Sequence, residues 1–569
     1  MLHRKRNGRV LVLGNDTFSF LSVIRSLGRH GLRVHVGSCP LNSPSLRSKY
    51  VSAVHRLPPY QADGVEWVAA LSELLEKHDF DLVVPCHDSE ILPLQHHRND
   101  LSDAKNIYLL TSEVFEICFS KRRTYELAAQ LGIRLSRQRI VRSLKELESA
   151  AAEFGLPIIL KPDASASLVN PLAKHYVKTA YTAAELPSVF ASLRDHAEIQ
   201  VQEYFAGKGV GVETLCLEGN ILVAFQHERV HEPIGGGGSS YRKSVPLHRD
   251  LLEATRRLMW ALRYTGVAMT EFKFNPDTGD WILIEVNSRF WGSLPLSIAA
   301  GLDFPWYLYE MLCFGKTDFP TSYKYGVFCR NWVRDYYWLR SLVRSNQGNH
   351  GLGAKGARTS LRRTLVAEVV NALKFKEHSD TLVFDDPLPA FVEIAQLTKE
   401  KIEPSLWRLP GSRHRMRTSA EVSIRTARSI LFLCKGNVCR SPFAELRLRA
   451  LRRSYAECQS AGFYPVQGRQ PPRPAIEVAM KMGVDLSAHR SRVVNEEMVR
   501  NAEAIFIFDR ENRRELAARF PECLVKTHYL GALHQNGPLE IDDPYGTDTA
   551  EIERAYLDIT RLLSSCNVC

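Results

Sequence analysis

The period of apolar and polar positions changes along the chain. Arg9-Val10-Leu11-Val12-Leu13, Arg33-Val34-His35-Val36 and Asp81-Leu82-Val83-Val84-Pro85 are short apolar runs, and the stretch 18–27 between the first two has helical period. Strand, helix, strand in that order predicts a parallel sheet covered on both faces, because a parallel connection has to cross over. Across 116–315 the runs at 158–161, 198–202, 211–216, 269–274 and 281–286 predict antiparallel sheets with helices on one side. Residues 316–405 read as aromatic-rich helical text containing Asp385-Asp386-Pro387-Leu388-Pro389, to which no separate activity is assigned. A last strand, Ser429-Ile430-Leu431-Phe432-Leu433, precedes a helical stretch at 443–451. The expected class is multidomain α/β: a parallel α/β domain over 1–115, an α+β domain over 116–315, a helical extension to 405, a linker over 406–427, and a smaller α/β domain over 428–569.

Length agrees with several domains, since 569 residues exceed the size at which a single core stops growing. With 45% hydrophobic and 24% charged residues the chain has the composition of a folded globular protein. The formal charge of +11 is modest for this length, and no base-reading motif accompanies it, so nucleic acid is not an expected partner. From Trp407 to Arg428 there are six arginines and one glutamate, which reads as a solvated basic hinge. No apolar run approaches the ~18 residues of a membrane span, and the stretch at 10–13 is too short for a signal-peptide core. Twelve scattered cysteines without paired metal-type spacing point to reduced thiols in a cytoplasm, with zinc not expected. Gly14-Asn15-Asp16 lacks the later glycines of a dinucleotide fingerprint, so a nicotinamide cofactor is not supported.

The densest chemistry follows the last strand: Cys434-Lys435-Gly436-Asn437-Val438-Cys439-Arg440-Ser441-Pro442. A loop between a strand end and a helix N-terminus turns its N–H groups inward as an anion cradle, and the same field favours a thiolate at Cys434. Arg440 offers a planar fork that suits phosphoryl oxygens. Ser441 can donate to the sulfur, and Asn437 can hold the loop in its tight shape. Departure of a leaving oxygen needs a proton, and Asp543, in Glu540-Ile541-Asp542-Asp543-Pro544-Tyr545, is the candidate acid.

This text resembles the low-molecular-weight protein tyrosine phosphatases over essentially all of 428–569, with further matches at Ser460-Ala461-Gly462, His489-Arg490-Ser491 and Phe508-Asp509. The resemblance implies a small α/β fold with a parallel sheet flanked by helices, and hydrolysis of phosphotyrosine on a protein substrate through a phosphocysteine on Cys434, with no cofactor. Val438 resembles the tyrosine-specific branch. Cys439 resembles the family's reversible redox partner, a small buried residue being the other reading. Arsenate reduction is disfavoured because 508–513 contains no cysteine.

A second constellation lies upstream. Glu271 and Glu285 stand on two predicted strands, and Glu285 and Asn287 share one face of an extended segment, a set of oxygen ligands suited to Mg²⁺. Arg289 would reach the same face, Lys121 and Lys161 are candidate phosphate contacts, and Gln202-Glu203-Tyr204-Phe205 could supply adenine contacts and a carboxylate. Taken with Gly207, this resembles the ATP-grasp superfamily, most closely the carbamoyl-phosphate-synthase-like carboxylate-amine ligases, over 8–315 and on to 405. The resemblance makes 1–115 a Rossmann-like domain preceding the ATP-grasp fold. It implies ATP with Mg²⁺, or Mn²⁺ in its place, and ligation of a small-molecule carboxylate to an amine through an acyl phosphate. A non-catalytic ATP-binding sensor or scaffold module is the alternative. Gly235-Gly236-Gly237-Gly238 is a candidate lid, a disordered loop being the other reading, and Asp88 and Glu90 are candidates to face an amine, the other reading being that they solvate a strand end.

Overall fold

The protein is described from a computed structural model that covers residues 8–38, 41–60, 64–101, 106–162, 177–191, 193, 199–232, 238–347, 377–407, 410–451, 457–535 and 537–565. The chain forms two units, one built chiefly from Val65–Ala395 with Met1–Ser38 and Ser43–Pro58, the other chiefly from Gln396–Cys569.

The first unit opens with a parallel sheet, β1 (Arg9–Leu13), β2 (Arg33–Ser38), β3 (Val51–Arg56) and β4 (Leu82–Pro85), in the order β3-β2-β1-β4. Val10 to Leu13 are fully buried because both faces are covered, which is why the run reads as continuously apolar. The strand order reverses between β1 and β4, so the loops leaving their C-terminal ends, with Asp16 and His87, open a crevice. An antiparallel sheet follows, of β5 (Gln138–Val141), β6 (Ile158–Pro162), β7 (Lys178–Ala180) and β8 (Ile199–Glu203), in the order β5-β8-β6-β7. The largest sheet holds β9 (Lys208–Leu217), β10 (Asn220–His231), β11 (Tyr241–Ser244), β12 (Gly266–Phe274), β13 (Trp281–Asn287), β14 (Phe328–Arg330) and β15 (Glu377–Ser379), in the order β13-β12-β9-β10-β11-β14-β15. It is antiparallel except where β14 meets β15.

Residues 316–405 are therefore not purely helical, because β14 and β15 extend the large sheet at its edge. The acidic Pro-rich text after β15 is an anchor. Arg25, on the helix Ser19–Arg29, sends Nε to Asp386 Oδ2 at 2.9 Å and its Nη groups to the carbonyls of Asp380, Thr381 and Asp386 at 3.2, 2.7 and 2.7 Å. Asp386 also accepts from Ser48 Oγ at 2.7 Å and Lys49 N at 2.9 Å. Two buried charges remain there because each is paired and hydrogen-bonded.

The second unit carries a wholly parallel sheet of β16 (Ser429–Cys434), β17 (Glu457–Gly462), β18 (Ala504–Ile507) and β19 (Thr527–Tyr529), in the order β17-β16-β18-β19. β16 delivers Cys434 at its C-terminal end, next to the helix Arg440–Leu451. Phe443 of that helix stacks on Tyr556 of the helix Thr549–Ser565, ring centroids 3.9 Å apart. The basic stretch expected to be a hinge is mostly the helix Pro410–Thr426. Ala420 and Ile424, four apart, are fully buried with Met416 packed beside them, so an apolar stripe of helical period was hidden among the arginines. Arg413 Nη2 caps the carbonyls of Gly531, His534 and Gly537 at 3.1, 3.2 and 2.8 Å. No helix among the described residues is long and apolar enough to cross a membrane.

Candidate functional site

In the second unit the loop from Cys434 to Arg440 wraps around the cysteine sulfur. Asn437 N donates to Cys434 Sγ at 3.2 Å, and Ser441 Oγ lies 3.0 Å from it. Asn437 sits at φ 50°, a left-handed turn that asparagine tolerates, and its side chain locks the turn. Its Nδ2 donates to Ser441 Oγ at 2.9 Å and Ser460 Oγ at 2.8 Å, while its Oδ1 accepts from Arg492 N at 2.8 Å. His489 Nε2 sits 2.9 Å from the Asn437 carbonyl. Gly462 lets the loop approach β17, since a Cβ there would meet Asn437 N at 2.8 Å.

Arg440 is 1% exposed. Its Nη1 donates to Asp509 Oδ2 at 2.6 Å and to the Ile541 carbonyl at 2.9 Å, and its Nη2 lies 2.8 Å from Asp543 Oδ2. Nε is buried without a hydrogen-bond partner among the described residues, and Nη2 faces the Asp543 carboxylate without a well-directed hydrogen bond, so an anion could take Nε and compete with Asp543 for Nη2. Burial opposes the guanidinium charge, but Asp543, the Cys434 sulfur and Asp509 outweigh it and raise the Arg440 pKa. Burial, with Asp543 and Cys434 adding to it, pushes the Cys439 thiol well up, so it stays protonated.

In the first unit β12 and β13 pair with Glu271 opposite Glu285 and Met269 opposite Asn287. Asn287 Nδ2 donates to Glu285 Oε1 at 3.0 Å, which leaves the amide oxygen for a cation. Burial pushes the Glu285 carboxyl up, yet Lys121, the Asn287 hydrogen bond, Lys161 and Arg289 outweigh it and lower its pKa. Lys121, Glu285 and Asn287 line one cleft together with Asp88, Thr124 and Tyr125. Tyr125 is a hub: its hydroxyl accepts from Lys161 Nζ at 2.9 Å and Gln202 Nε2 at 3.2 Å and donates to the Ile284 carbonyl at 2.6 Å.

Four sequence candidates are held in ion pairs. Glu203 is held by a two-point contact with Arg137 at 2.8 and 2.9 Å, and this bond lowers its pKa. Arg289 grips both oxygens of Asp88 at 2.7 and 3.0 Å, so Asp88 is an ion-pair partner rather than an open amine contact. Glu271 Oε1 lies 2.5 Å from Arg229 Nη2; burial raises its pKa and Arg229 opposes that rise. Glu90 differs: Ser89 donates to its Oε1 at 2.8 Å, its Oε2 is shut off without a hydrogen-bond partner among the described residues, and burial pushes it up to about 7. Beside it Asp16 and His87 form an ion pair. Of the glycine lid, 235–237 lies outside the described residues.

Residues 429–566 match the family model of the low molecular weight phosphotyrosine protein phosphatases. They are 33% identical over 134 residues to the probable low molecular weight protein-tyrosine-phosphatase EpsP of Ralstonia solanacearum, covering 24% of this chain and 90% of that protein. Through these residues the chain belongs to that phosphatase family. The phosphatase Etp of Escherichia coli K12 is 36% identical over 129 residues, covering 22% of this chain and 84% of Etp. Residues 195–330 match a model described as ATP-grasp in the biosynthetic pathway with Ter operon. Among solved structures, an L-amino acid ligase from Bacillus licheniformis aligns with TM-score 0.44 and 18% identity over 55% of this chain and 75% of that one.

Asp509, the clamp on Arg440 of the phosphatase, and Tyr125, the hub of the upstream cleft, carried no role in the sequence. Asp509 stands among the residues of the phosphatase resemblance, but what it holds lies far along the chain. Tyr125 had no signal at all, being one tyrosine in helical text.

Proposed function

We propose that the phosphatase unit hydrolyses phosphotyrosine on proteins through a phosphocysteine. The observation that carries this reading is the buried Arg440 fork, its Nε without a hydrogen-bond partner among the described residues, beside a cysteine sulfur at a helix N-terminus. Cys434 Sγ attacks phosphorus, an S–P bond forms, and the bond from phosphorus to the tyrosine oxygen breaks. Arg440 and the loop N–H groups hold the phosphoryl oxygens. Asp543 gives its proton to the departing phenolate oxygen, then takes one from the water that attacks phosphorus and releases Cys434. Asp543 lies at the Arg440 end of the loop, and it is this position beside the anion site, not the neighbouring positive charge, that supports its assignment as the acid. The test is aryl phosphate turnover with rapid-quench trapping. Wild type should turn over and trap a phosphoenzyme, Cys434→Ser should do neither, and Asp543→Ala should slow turnover roughly 10²- to 10⁴-fold. A reduced, folded wild type without turnover overturns the reading.

The first unit, in the same proposal, uses ATP and Mg²⁺ to join a small-molecule carboxylate to an amine. The donor set fits: Glu285 is held ionised among cations and Asn287 keeps its amide oxygen, while Glu271, opposite Glu285 on the neighbouring strand, would join them by exchanging Arg229 for the ion. Bound ATP with its metal would supply the phosphoryl group that activates the carboxylate as an acyl phosphate. Lys121 and Lys161 would hold phosphates, and Tyr125 orients Lys161 and Gln202. ATP retention in Mg²⁺ should fall in Glu285→Ala and Asn287→Ala. ADP release that needs both a carboxylate and an amine supports the ligase, whereas ATP binding without turnover over a broad substrate panel favours a sensor.

A further inference from the structure

Three histidines from separate elements meet on the first parallel sheet, away from the cleft described above. His35 lies on β2 and His55 on the neighbouring β3, with His35 opposite Ala53 and His55 opposite Gly37, so the two imidazoles stand on one face as diagonal neighbours. His78 comes from the turn after the helix Val65–Lys77. The ring centroids are 5.1, 5.2 and 5.2 Å apart, and one ligand nitrogen from each ring lies within 4.8 Å of the other two. Phe80 closes the back, edge-on to His35 at 5.4 Å and tilted against His78 at 5.7 Å.

We propose that His35, His55 and His78 form a binding site for a borderline transition-metal ion, Zn²⁺ being the reference ion. Three imidazoles from a sheet and an adjoining turn make a facial set with a fourth position left to water. Tetrahedral zinc at its usual bond length spaces its ligand nitrogens by about 3.3 Å. His35 Nδ1 and His55 Nε2 are now 2.9 Å apart as a hydrogen-bonded pair, so binding requires them to open by a few tenths of an ångström and His78 to close in. The ligand set also fixes the class of ion. It holds no carboxylate, and Arg9, Arg33 and Lys77 act electrostatically on these rings, so a hard ion held by charge, such as Mg²⁺ or Ca²⁺, gains little. An ion bound through nitrogen donation is selected instead. The spacing of 20 and 23 residues between the histidines matches no finger or helical zinc motif, which is why the sequence did not announce the site.

The experiment uses the full chain carrying Cys434→Ser and Cys313→Ser, which removes the reactive loop thiol and the one described cysteine that is not buried as competitors for soft metals, and measures Zn²⁺ binding by competition with a chromophoric chelator. Co²⁺ absorption reports the coordination geometry. His55 and His78 are partly exposed, so His55→Gln and His78→Gln test the site without opening a core cavity, and circular dichroism checks their folding. The expected result is one Zn²⁺ per chain, a tetrahedral Co²⁺ spectrum, and affinity weakened at least about tenfold in each variant, the loss seen on removing even an outer-shell partner. Zn²⁺ should also raise the unfolding temperature of the parent and not that of either variant, because the ion binds only the folded arrangement. Zinc binding that survives either substitution undiminished, an octahedral Co²⁺ spectrum, or no saturable zinc binding overturns the proposal.

Discussion

Asp509 grips the Nη1 edge of Arg440 at 2.6 Å, and that contact decides which face of the guanidinium is left for a substrate. Asp509 is itself fixed as the N-cap of the helix Arg510–Arg519, its Oδ1 accepting from Asn512 N at 2.7 Å. The fork is thus aimed by a residue that need not touch the phosphate. Asp509→Ala removes a charge-assisted hydrogen bond, so kcat/KM for aryl phosphate should fall roughly 10- to 100-fold. Because the defect is in anion positioning, the inhibition constant of inorganic phosphate should rise in parallel. A variant that loses stability but keeps its phosphate affinity would show that Asp509 only supports the fold.

The approach of the loop to β17 yields a second prediction. A Cβ at Gly462 would stand 2.8 Å from Asn437 N and 3.0 Å from Asn437 Cβ, neither of which can swing away. Gly462→Ala should cost about 1–3 kcal/mol, the usual penalty of overpacking, and should also lower turnover, because Asn437 N holds the cysteine sulfur. Thermal unfolding and steady-state turnover check the two effects. A stable variant with wild-type turnover would mean that the loop can relax outward at no cost.

How much of this was legible depends on how local each signal was. The apolar runs named β1, β16 and the core of β9 because a strand buried on both faces has no polar position to interrupt it. Cys434 and Arg440 were legible because one short loop carries both, and Glu285 with Asn287 because alternate residues of a strand share a face. Arg440 with Asp509, Lys161 with Tyr125 and Arg289 with Asp88 were not, since each pair joins elements distant in sequence. The basic stretch misled for a different reason. Counting arginines across Pro410–Thr426 hid the spacing of Met416, Ala420 and Ile424, which set the helix and its buried side.

The Arg25 and Asp386 pair predicts a stability effect in the first unit. Arg25→Met should destabilise it by about 3–5 kcal/mol, because Asp386 would be left as a buried charge without its cation. Arg25→Lys should rescue little, since one ammonium cannot reach the three carbonyls that the guanidinium spans. Adding Asp386→Leu to Arg25→Met should cost less than the sum of the single changes. Denaturant unfolding followed by tryptophan fluorescence measures the wild type, the three single variants and the double variant, and strict additivity would contradict the pairing.

Glu90 makes stability depend on pH in a direction opposite to that of most carboxylates. Burial raises its folded pKa from 4.5 to about 7, so between those values the folded state binds a proton that the unfolded state has released. Stability therefore falls as pH rises through that window and levels off above it. The neighbouring ion pair does not cancel the effect. The lowered Asp16 pKa gives stability that is lost only at acid pH, below its unfolded value, and the raised His87 pKa gives stability that is lost as pH rises, in the same sense as Glu90. Glu90→Gln replaces the carboxyl with an isosteric carboxamide that does not titrate. Its stability should match wild type near pH 4.5 and exceed it at pH 8, so unfolding midpoints at those two pH values measure the difference directly. Parallel stability curves for the two proteins would mean that Glu90 is solvated in solution, with no buried proton to lose.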